Sequence, residues 1–431
     1  MKELHMICNA HLDPVWLWQK PEGIAEAIST FRVAADFCEE FDGFIFNHNE
    51  SVLYEWVEEN EPELFERIQK LVKEGKWRIM GGWYLQPDCV MPCGESFIRQ
   101  IETGTKYFLK KFGVRPLTAI NFDPFGHTRG LVQILKKCGY ESYVFMRPSW
   151  IECDHDFIWK GFDGSKILTH KMNMGYNSGK GKILQKIERA LERECGDGIN
   201  MMFWGIGNHG GGPSREDLNT IAEYMKAHPE SGLLHSYCEK YFDTVDKSNL
   251  KEFDQSLNYT MVGCYTSMAR IKQAHRRLEN DLDTCEKMLA LSGISYDKSE
   301  LEKAEKALLF CQFHDILPGS SIKAAEDDCL RLFSYGNEVA EKYKTKAFFR
   351  LCQGQPKAKD GEIPVLVFNP HPYKITQDIE VEFQLQDQNW NENEVTVVTV
   401  RDSKGNYIPS QNEKEACTFS LDWRKRVCFR A

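Results

Sequence analysis

The segment from Leu4 to Trp18 reads LHMICNAHLDPVWLW, and it joins a buried strand to two polar side chains at the strand's end. The apolar run Leu4–Cys8 predicts a short strand that ends just before His11 and Asp13. Residues two apart on an extended segment point the same way, so this imidazole and this carboxylate face one spot. They are a sensible start to a divalent-metal site, with zinc as the first expectation. The structural alternative is that His11 caps the strand and Asp13 opens the turn before Pro14.

The same alternation of short apolar runs and amphipathic patterns continues to about residue 245. Two segments predict helices, Ser51–Lys73 and Thr128–Gly139, each with apolar residues at helical spacing and a glycine near its end. Such alternation predicts an α/β fold with a mostly parallel sheet, open or closed into a barrel, whose functional groups collect at the carboxyl ends of the strands. The predicted strands are Leu4–Cys8, Gly43–Asn47, Trp77–Gly81, Leu117–Phe122, Ser142–Phe145, Lys166–His170 and Met201–Ile206.

Two further regions follow this α/β part. From about 255 to 350 the apolar period becomes helical, and three successive helical segments predict a three-helix bundle. After the polar stretch 353–361 the pattern turns to strands, which predict the beginning of a β-sandwich domain. We therefore expect a catalytic α/β domain over 1–250, a helical domain over 255–350 and an incomplete β-rich domain over 360–431. The strands predicted in the last region are Pro364–Asn369, Ile379–Gln384, Val395–Arg401 and Cys417–Asp422.

The composition of the chain limits which binding partners and which cellular compartment we expect for the protein. The 431 residues carry a net charge of -10 without a Lys/Arg-rich run, which argues against nucleic acid as the main partner. No apolar run approaches transmembrane length, and no secretory segment precedes the first strand, so we expect no membrane association. Fifteen scattered cysteines are typical of free thiols in a reducing compartment, and the cytoplasm is the expected location. Nothing in the sequence specifies the oligomeric state, and a homodimer is compatible with it.

Two more segments carry candidate functional residues. Asp123 lies in AINFDPFGH, directly after an apolar strand and before a proline turn, and its structural alternative is the N-cap of the helix near Thr128. His314 and Asp315 lie in CQFHDILPG, where the second helix of the predicted bundle ends. A histidine at a helix C-terminus is favoured by the helix dipole, so a structural role is again an alternative. Taken singly, each of these features fits a structural role.

Taken together, the segments resemble one family, the zinc-dependent α-mannosidases of glycoside hydrolase family 38. The resemblance spans nearly the whole chain and keeps the order of the motifs. The motifs are His11-x-Asp13-Pro14-x-Trp16, Gly81-Gly82-Trp83, Gly94-Glu95-Ser96-x-x-Arg99-Gln100, Asp123-Pro124-Phe125-Gly126-His127, Tyr265-Thr266-Ser267 with Lys272, His314-Asp315 before Gly319, and Val367-Phe368-Asn369-Pro370.

The resemblance implies one zinc ion per chain, bound by two histidines and two aspartates. Zinc would chelate the 2- and 3-hydroxyls of the sugar, which selects mannose, although the ligand set would also accept cobalt or manganese. Asp123 would also be the nucleophile of a retaining mechanism through a glycosyl-enzyme intermediate. The four ligands would be His11, Asp13, Asp123 and His314.

Three further side chains would contact the sugar or the nucleophile. Trp16 would form an apolar wall for the sugar ring, and Asp315 would hydrogen-bond a hydroxyl. Arg147 follows a predicted strand and would hydrogen-bond near the nucleophile; its alternative is a surface charge with a buried stem.

The general acid is where the chain departs from the family. Relatives place an aspartate on a loop that here reads GIGNHGGGP over residues 205–213, without a carboxylate. His209 is chemically able to replace it, because an imidazolium protonates a leaving oxygen. Asn208 can only donate a hydrogen bond to the substrate, and Asp88 or a group from elsewhere in the chain is an alternative acid.

The leading hypothesis is a cytoplasmic exo-α-mannosidase that hydrolyses terminal α-linked mannose from oligosaccharides or glycan fragments. One alternative is a metal-dependent carbohydrate-binding protein with little hydrolytic activity, which the missing loop carboxylate favours. The other is a zinc sugar deacetylase, in which a metal-bound water would be the nucleophile. The sequence does not specify the linkage that would be cleaved.

Overall fold

The strands of the molecule begin with the predicted one at the amino-terminal end. The computed structural model describes residues 3–194, 198–207, 209–258, 260–416 and 421–431. In chain order the strands are β1 (Glu3–Asn9), β2 (Phe46–His48), β3 (Trp77–Ile79), β4 (Thr118–Asn121), β5 (Ser142–Phe145), β6 (Asp156–Lys160), β7 (Lys166–Lys171), β8 (Ile199–Trp204), β9 (Leu233–His235), β10 (Glu252–Phe253), β11 (Asp378–Asn389), β12 (Val400–Arg401), β13 (Tyr407–Ile408), β14 (Ser410–Glu413) and β15 (Asp422–Arg430).

The helices alternate with these strands up to β10 and then follow one another. They are α1 (Lys20–Glu40), α2 (Ser51–Asn60), α3 (Pro62–Lys73), α4 (Gly94–Phe112), α5 (Leu131–Lys137), α6 (Ile183–Arg189), α7 (Arg215–Ala227), α8 (Cys238–Thr244), α9 (Ala269–Ser292), α10 (Lys298–Cys311) and α11 (Lys323–Cys352). Among the described helices, none combines the length and the apolar composition needed to cross a lipid bilayer.

The strands up to β10 pair as two five-stranded sheets. The first has the order β3-β2-β1-β8, with β9 also pairing with β1, and every pair in it is parallel. The second has the order β10-β6-β7-β5-β4, in which only the β6–β7 pair is antiparallel among the described residues. The predicted α/β fold with a mostly parallel sheet is therefore confirmed. The short strands β6, β9 and β10 were not predicted.

An apolar cluster is shared by the two sheets. It contains Ile7 and Phe203 from the first sheet and Val144 and Leu168 from the second, each at most 8% exposed. Burial of apolar side chains between the sheets fixes the strands of one sheet relative to those of the other. The sequence that follows each strand is thereby held in a defined place.

One predicted helix is wrong in its extent. The segment Ser51–Lys73 forms two helices, because α2 ends at Asn60 and α3 begins at Pro62. Glu61 between them has φ of -139° and ψ of 66°, outside the helical region. A residue before proline is disfavoured in the helical region, and proline at the first helical position is favoured, so Pro62 divides the pattern.

The other predicted helices are present in the structure, whereas the strands predicted after residue 360 are only partly present. The helix predicted over Thr128–Gly139 is present but shorter, as α5, and the three helices of the middle region are present as α9, α10 and α11. The predicted strand Pro364–Asn369 is irregular, and the prediction over Val395–Arg401 is reduced to β12. The prediction over Ile379–Gln384 lies within β11. Most of the strand predicted over Cys417–Asp422 falls outside the described residues.

The described chain forms two compact units. The first contains residues 1–283 and 296–342, and the second contains 284–295 and 343–431. In the second unit, β11, β15 and β14 form an antiparallel sheet in which Val381 lies opposite Val427. The domain boundaries near residues 250 and 355 stay a prediction.

A buried lysine on α6 connects the loop before that helix to strand β8. The Nζ atom of Lys186 donates hydrogen bonds to the carbonyl oxygens of Gly175, Asn177 and Phe203, at 3.0, 2.7 and 2.7 Å. Three acceptors match the three N–H groups of an ammonium, so the buried charge is fully hydrogen-bonded.

We expect Lys186→Met to lower the free energy of unfolding by about 3 kcal/mol, because it leaves three carbonyl groups without a donor. The measurement is urea denaturation followed by circular dichroism. Lys182→Met, at an exposed position four residues earlier, is the control and should change stability by less than about 0.5 kcal/mol. Equal effects of both substitutions would contradict the assigned role.

Candidate metal centre

Three candidate residues follow their strands at the same interval. β1 ends at Asn9, β4 at Asn121 and β5 at Phe145, and His11, Asp123 and Arg147 each lie two residues further along the chain. The carboxyl ends of parallel strands are where α/β folds collect functional side chains. The structure thus places each of these three residues just beyond the carboxyl end of a parallel strand.

The two imidazoles and two carboxylates predicted as ligands lie in one buried cluster, each at most 4% exposed. His11 Nε2 lies 3.0 Å from Asp13 Oδ1 and 3.7 Å from Asp123 Oδ2. His314 Nε2 lies 3.6 Å from Asp13 Oδ1 and 3.9 Å from Asp123 Oδ2. His11, Asp13 and His314 form a group able to bind a metal ion, and so do His11, Asp123 and His209.

The geometry of these atoms fits a metal ion better than it fits hydrogen bonds. Asp13 Oδ1 and Oδ2 lie 3.0 and 2.6 Å from His11 Nε2 and His209 Nδ1, yet none of the four buried atoms makes a hydrogen bond within the described residues. These distances are short enough for hydrogen bonds, so it is the angles between the groups that are unsuitable for hydrogen bonding. Ligand atoms about 2.1 Å from a tetrahedral zinc ion lie about 3.4 Å from one another. The distances from His11 and His314 to Asp13 and Asp123, 3.0 to 3.9 Å, lie on either side of that value.

The structural alternatives for Asp123 and His314 do not match the helix ends of the structure. α5 begins only at Leu131 and has no side-chain cap, so Asp123 does not cap it. His314 lies three residues beyond the end of α10, and its Nδ1 is 2.9 Å from the carbonyl oxygen of Gln86. That carbonyl can only accept, so Nδ1 donates and Nε2 is the nitrogen that faces the cluster.

The pKa values of the buried carboxylates shift in two directions, down for the inner Asp13 and Asp123 and up for the outer Asp315. Burial would raise the pKa of Asp123, but His11, His314 and Arg147 hold it below its usual range. The pKa of Asp13 is likewise lowered, despite burial, chiefly by His11. Burial raises the pKa of Asp315 to about 6. The two predicted ligands are therefore ionised at neutral pH.

The same charges raise the pKa of His11 instead of lowering it. Burial would lower its pKa, but Asp13 and Asp123 raise it to about 9. A cation in the middle of the cluster is thus strongly favoured.

The predicted substrate-contacting residues line the same cluster. Arg147 donates from Nε to Asp123 Oδ1 and is only half-buried, so its guanidinium is not a plain surface charge. Trp16 packs its ring 4.2 Å from the ring of His209 and is partly exposed. Asp315 Oδ2 lies 3.5 Å from His314 Nε2.

The candidate acids differ in what they can reach. His209 turns Nδ1 toward Asp13 and keeps about a quarter of its side chain exposed (26%). Its backbone has φ of 59°, a conformation uncommon outside glycine. Asp88 is fully buried, and its Oδ1 accepts from the N–H groups of Val90 and Met91. Asn208 lies outside the described residues.

Sequence reasoning missed three buried residues of the site. Tyr176 packs its ring 4.5 Å from that of His11. Glu50 is 1% exposed, has φ of 66°, and accepts a hydrogen bond from the Gln86 N–H at 3.0 Å. Gln86 contacts His11, Phe122 and His314. Gln86 lies in an irregular segment after Gly81-Gly82-Trp83, and its sequence carries no pattern that reports these contacts.

The fold and the cluster together define an α/β protein with a buried group of histidines and aspartates that could bind a metal ion. The family model described as glycosyl hydrolases family 38 N-terminal domain matches residues 1–262, and the alpha mannosidase middle domain matches residues 260–351. The first match alone covers more than half of the chain. The chain belongs to glycoside hydrolase family 38.

Individual relatives agree with this membership. Alpha-mannosidase G of Dictyostelium discoideum is 28% identical over 336 residues, which are 75% of this chain and 31% of that protein. Alpha-mannosidase 2C1 of Homo sapiens is 27% identical over 391 residues, which are 86% of this chain and 37% of that protein. The chain therefore spans about a third of the length of these relatives.

A solved structure shows the same fold. The crystal structure of an alpha-mannosidase from Enterococcus faecalis V583 is similar with a TM-score of 0.79 and 19% identity, over 100% of this chain and 54% of that chain. The predicted family resemblance is confirmed, and the fold prediction agrees with this neighbour.

We expect His11→Ala to weaken Zn²⁺ binding by at least about 100-fold, because the substitution removes a ligand atom from the centre of the cluster. The measurement is the zinc content after dialysis against a graded metal buffer. His228→Ala, at an exposed histidine, is the control and should bind as the unsubstituted chain does. Unchanged zinc content of His11→Ala would show that the ion lies elsewhere.

Proposed function

We propose that this chain carries the catalytic centre of a zinc-dependent, retaining exo-α-mannosidase acting on terminal α-linked mannose of oligosaccharides or glycan fragments. The observation that carries the proposal is the position of Asp123. One of its oxygens faces His11 and His314, and the other accepts a hydrogen bond from Arg147. Membership of family 38 and the names of the relatives support the substrate class.

The ligand set supports zinc as the metal. Two imidazoles and two carboxylates suit zinc, with His11, Asp13, Asp123 and His314 as ligands. When bound, the ion would chelate the 2- and 3-hydroxyls of mannose and so orient the sugar.

Asp123 would act as the nucleophile. Its lowered pKa keeps it ionised, and Arg147 fixes the direction of the carboxylate. In the first step a carboxylate oxygen bonds to the anomeric carbon while the glycosidic bond breaks. In the second step water attacks that carbon and the ester bond to Asp123 breaks, which retains the configuration.

His209 would be the acid and base of these steps. Asp13 Oδ2 lies against its Nδ1, which leaves Nε2 as the nitrogen available to the leaving oxygen. Nε2 would give its proton to that oxygen in the first step and take one from water in the second. Trp16, whose ring packs on His209, would form the wall of the sugar site, and Asp315 would accept from a hydroxyl.

The free thiols of the described cysteines support a reducing compartment, so the cytoplasm stays our proposed location.

The test of the function is release of aryl alcohol from an activated aryl α-mannoside before chelation, after chelation and after zinc is restored. We expect turnover that is lost with chelator and recovered with zinc. Asp123→Asn should lower turnover at least about 10³-fold, because an amide is a poor nucleophile.

The controls separate the alternatives. Glu22→Gln, at an exposed carboxylate on α1, should leave turnover unchanged. Full activity of Asp123→Asn would show that another group is the nucleophile. Mannose binding by the zinc-loaded chain without any turnover would favour the carbohydrate-binding alternative, and acetate released from an acetylated sugar would favour the deacetylase.

The role of His209 is tested by the leaving group. We expect His209→Gln to reduce hydrolysis of an unactivated mannobioside by about 10²- to 10⁴-fold and of an activated aryl mannoside far less, since the aryl oxygen needs little protonation. The measurement is kcat/KM for both substrates together with zinc content. Loss of zinc would show that His209 is a metal ligand, and equal losses for both substrates would show that it is not the acid.

A further inference from the structure

Every hydrogen-bonding group of Gln86 contacts a different segment around the cluster. Its N–H donates to Glu50 Oε1 at 3.0 Å, and its carbonyl oxygen lies 2.9 Å from His314 Nδ1. Its side-chain Oε1 accepts from the Phe122 N–H at 2.7 Å, one residue before Asp123. Its Nε2 lies 3.3 Å from His11 Nδ1. The residue is fully buried, so water does not compete for these contacts.

Gln86 presents an acceptor to the imidazole of His314 and a donor to the imidazole of His11. The carbonyl oxygen of Gln86 can only accept, so it places a proton on Nδ1 of His314 and leaves Nε2 free for a metal. The side chain does the reverse at His11. Because Phe122 N–H needs an acceptor, Oε1 must face Phe122, and the amide therefore turns its NH₂ donor toward His11 Nδ1.

A donor at that position opposes metal binding through His11. An imidazole that binds a metal through Nε2 carries its proton on Nδ1, and so does an imidazolium, so in both states two donors would face each other. Metal-binding histidines almost always donate this proton to a carboxylate, a carbonyl or water.

We propose that Gln86 is a positioning residue. Its side-chain carboxamide weakens metal binding by His11, and its backbone carbonyl strengthens metal binding by His314. The proposal rests on the proposed function, in that His11 and His314 are taken as ligands. Gln86→Glu would supply acceptors to both Phe122 N–H and His11 Nδ1–H without changing the length of the side chain.

The experiment is a titration of the chain with Zn²⁺ in a competing chelator, for the unsubstituted chain and Gln86→Glu. We expect Gln86→Glu to bind zinc about tenfold more tightly. A residue that merely supports the fold would give the opposite sign, since replacing it would weaken binding. Gln185→Glu, at an exposed position on α6, adds the same charge away from the cluster and should leave the affinity unchanged.

A second comparison shows whether the effect passes through His11. In the His11→Ala background, Gln86→Glu should give no gain, because the imidazole that would use the new acceptor is absent. The zinc-induced rise in melting temperature provides a second measurement should Gln86→Glu be less stable without metal, and we expect a larger rise than in the unsubstituted chain.

The outcomes distinguish the two proposals. Equal or weaker zinc binding by Gln86→Glu would overturn the role of Gln86, and so would a gain that persists without His11. If the unsubstituted chain and His11→Ala bind zinc alike, the metal centre is wrongly placed and the inference about Gln86 is overturned with it.

Discussion

The burial of negative charge around His11 is the constraint on which the rest of the site depends. Asp13, Asp123, Asp315 and Glu50 are all at most 4% exposed. Buried carboxylates are costly unless they are paired with cations or bind metal ions. The chain relieves the cost in two ways, because the outer Asp315 and Glu50 have raised pKa values whereas the inner Asp13 and Asp123 have lowered ones. The inner pair thus keeps its charge where a cation would sit.

Much of this arrangement could be predicted from strand ends. His11 and Asp123 each follow a short apolar run, and the carboxyl ends of parallel strands are where functional side chains collect. That β1 and β4 belong to different sheets could not be predicted in this way. Single-segment patterns also placed α9, α10 and α11. The predictions failed where a local signal was overlooked, as at Pro62, or where a strand has alternating burial and little length, as in β6. The metal-ligand and catalytic roles remain predictions, although the structure places the residues together.

Gln86 shows why the remaining part of the site could not be predicted. Its four contacts come from residues at positions 11, 50, 122 and 314, and none of them is near it in sequence. A glutamine in an irregular segment has no periodicity that reports such contacts. Whether His11 meets a donor or an acceptor depends on which end of the Gln86 side-chain amide faces it, and only the folded chain determines that.

The connection between residues 86–88 and 312–314 has a consequence for how the centre forms. Asp88 N–H donates to the Gln312 carbonyl at 2.8 Å, Pro87 pairs with Phe313, and His314 donates to Gln86. These contacts hold the segment after α10 against the strand ends. A metal held by His314 and by the residues after β1 and β4 would join positions about 300 residues apart in the chain. Its binding energy would add to the stability of the first unit as a whole, since ligands that bind only the folded state stabilise everything their site depends on.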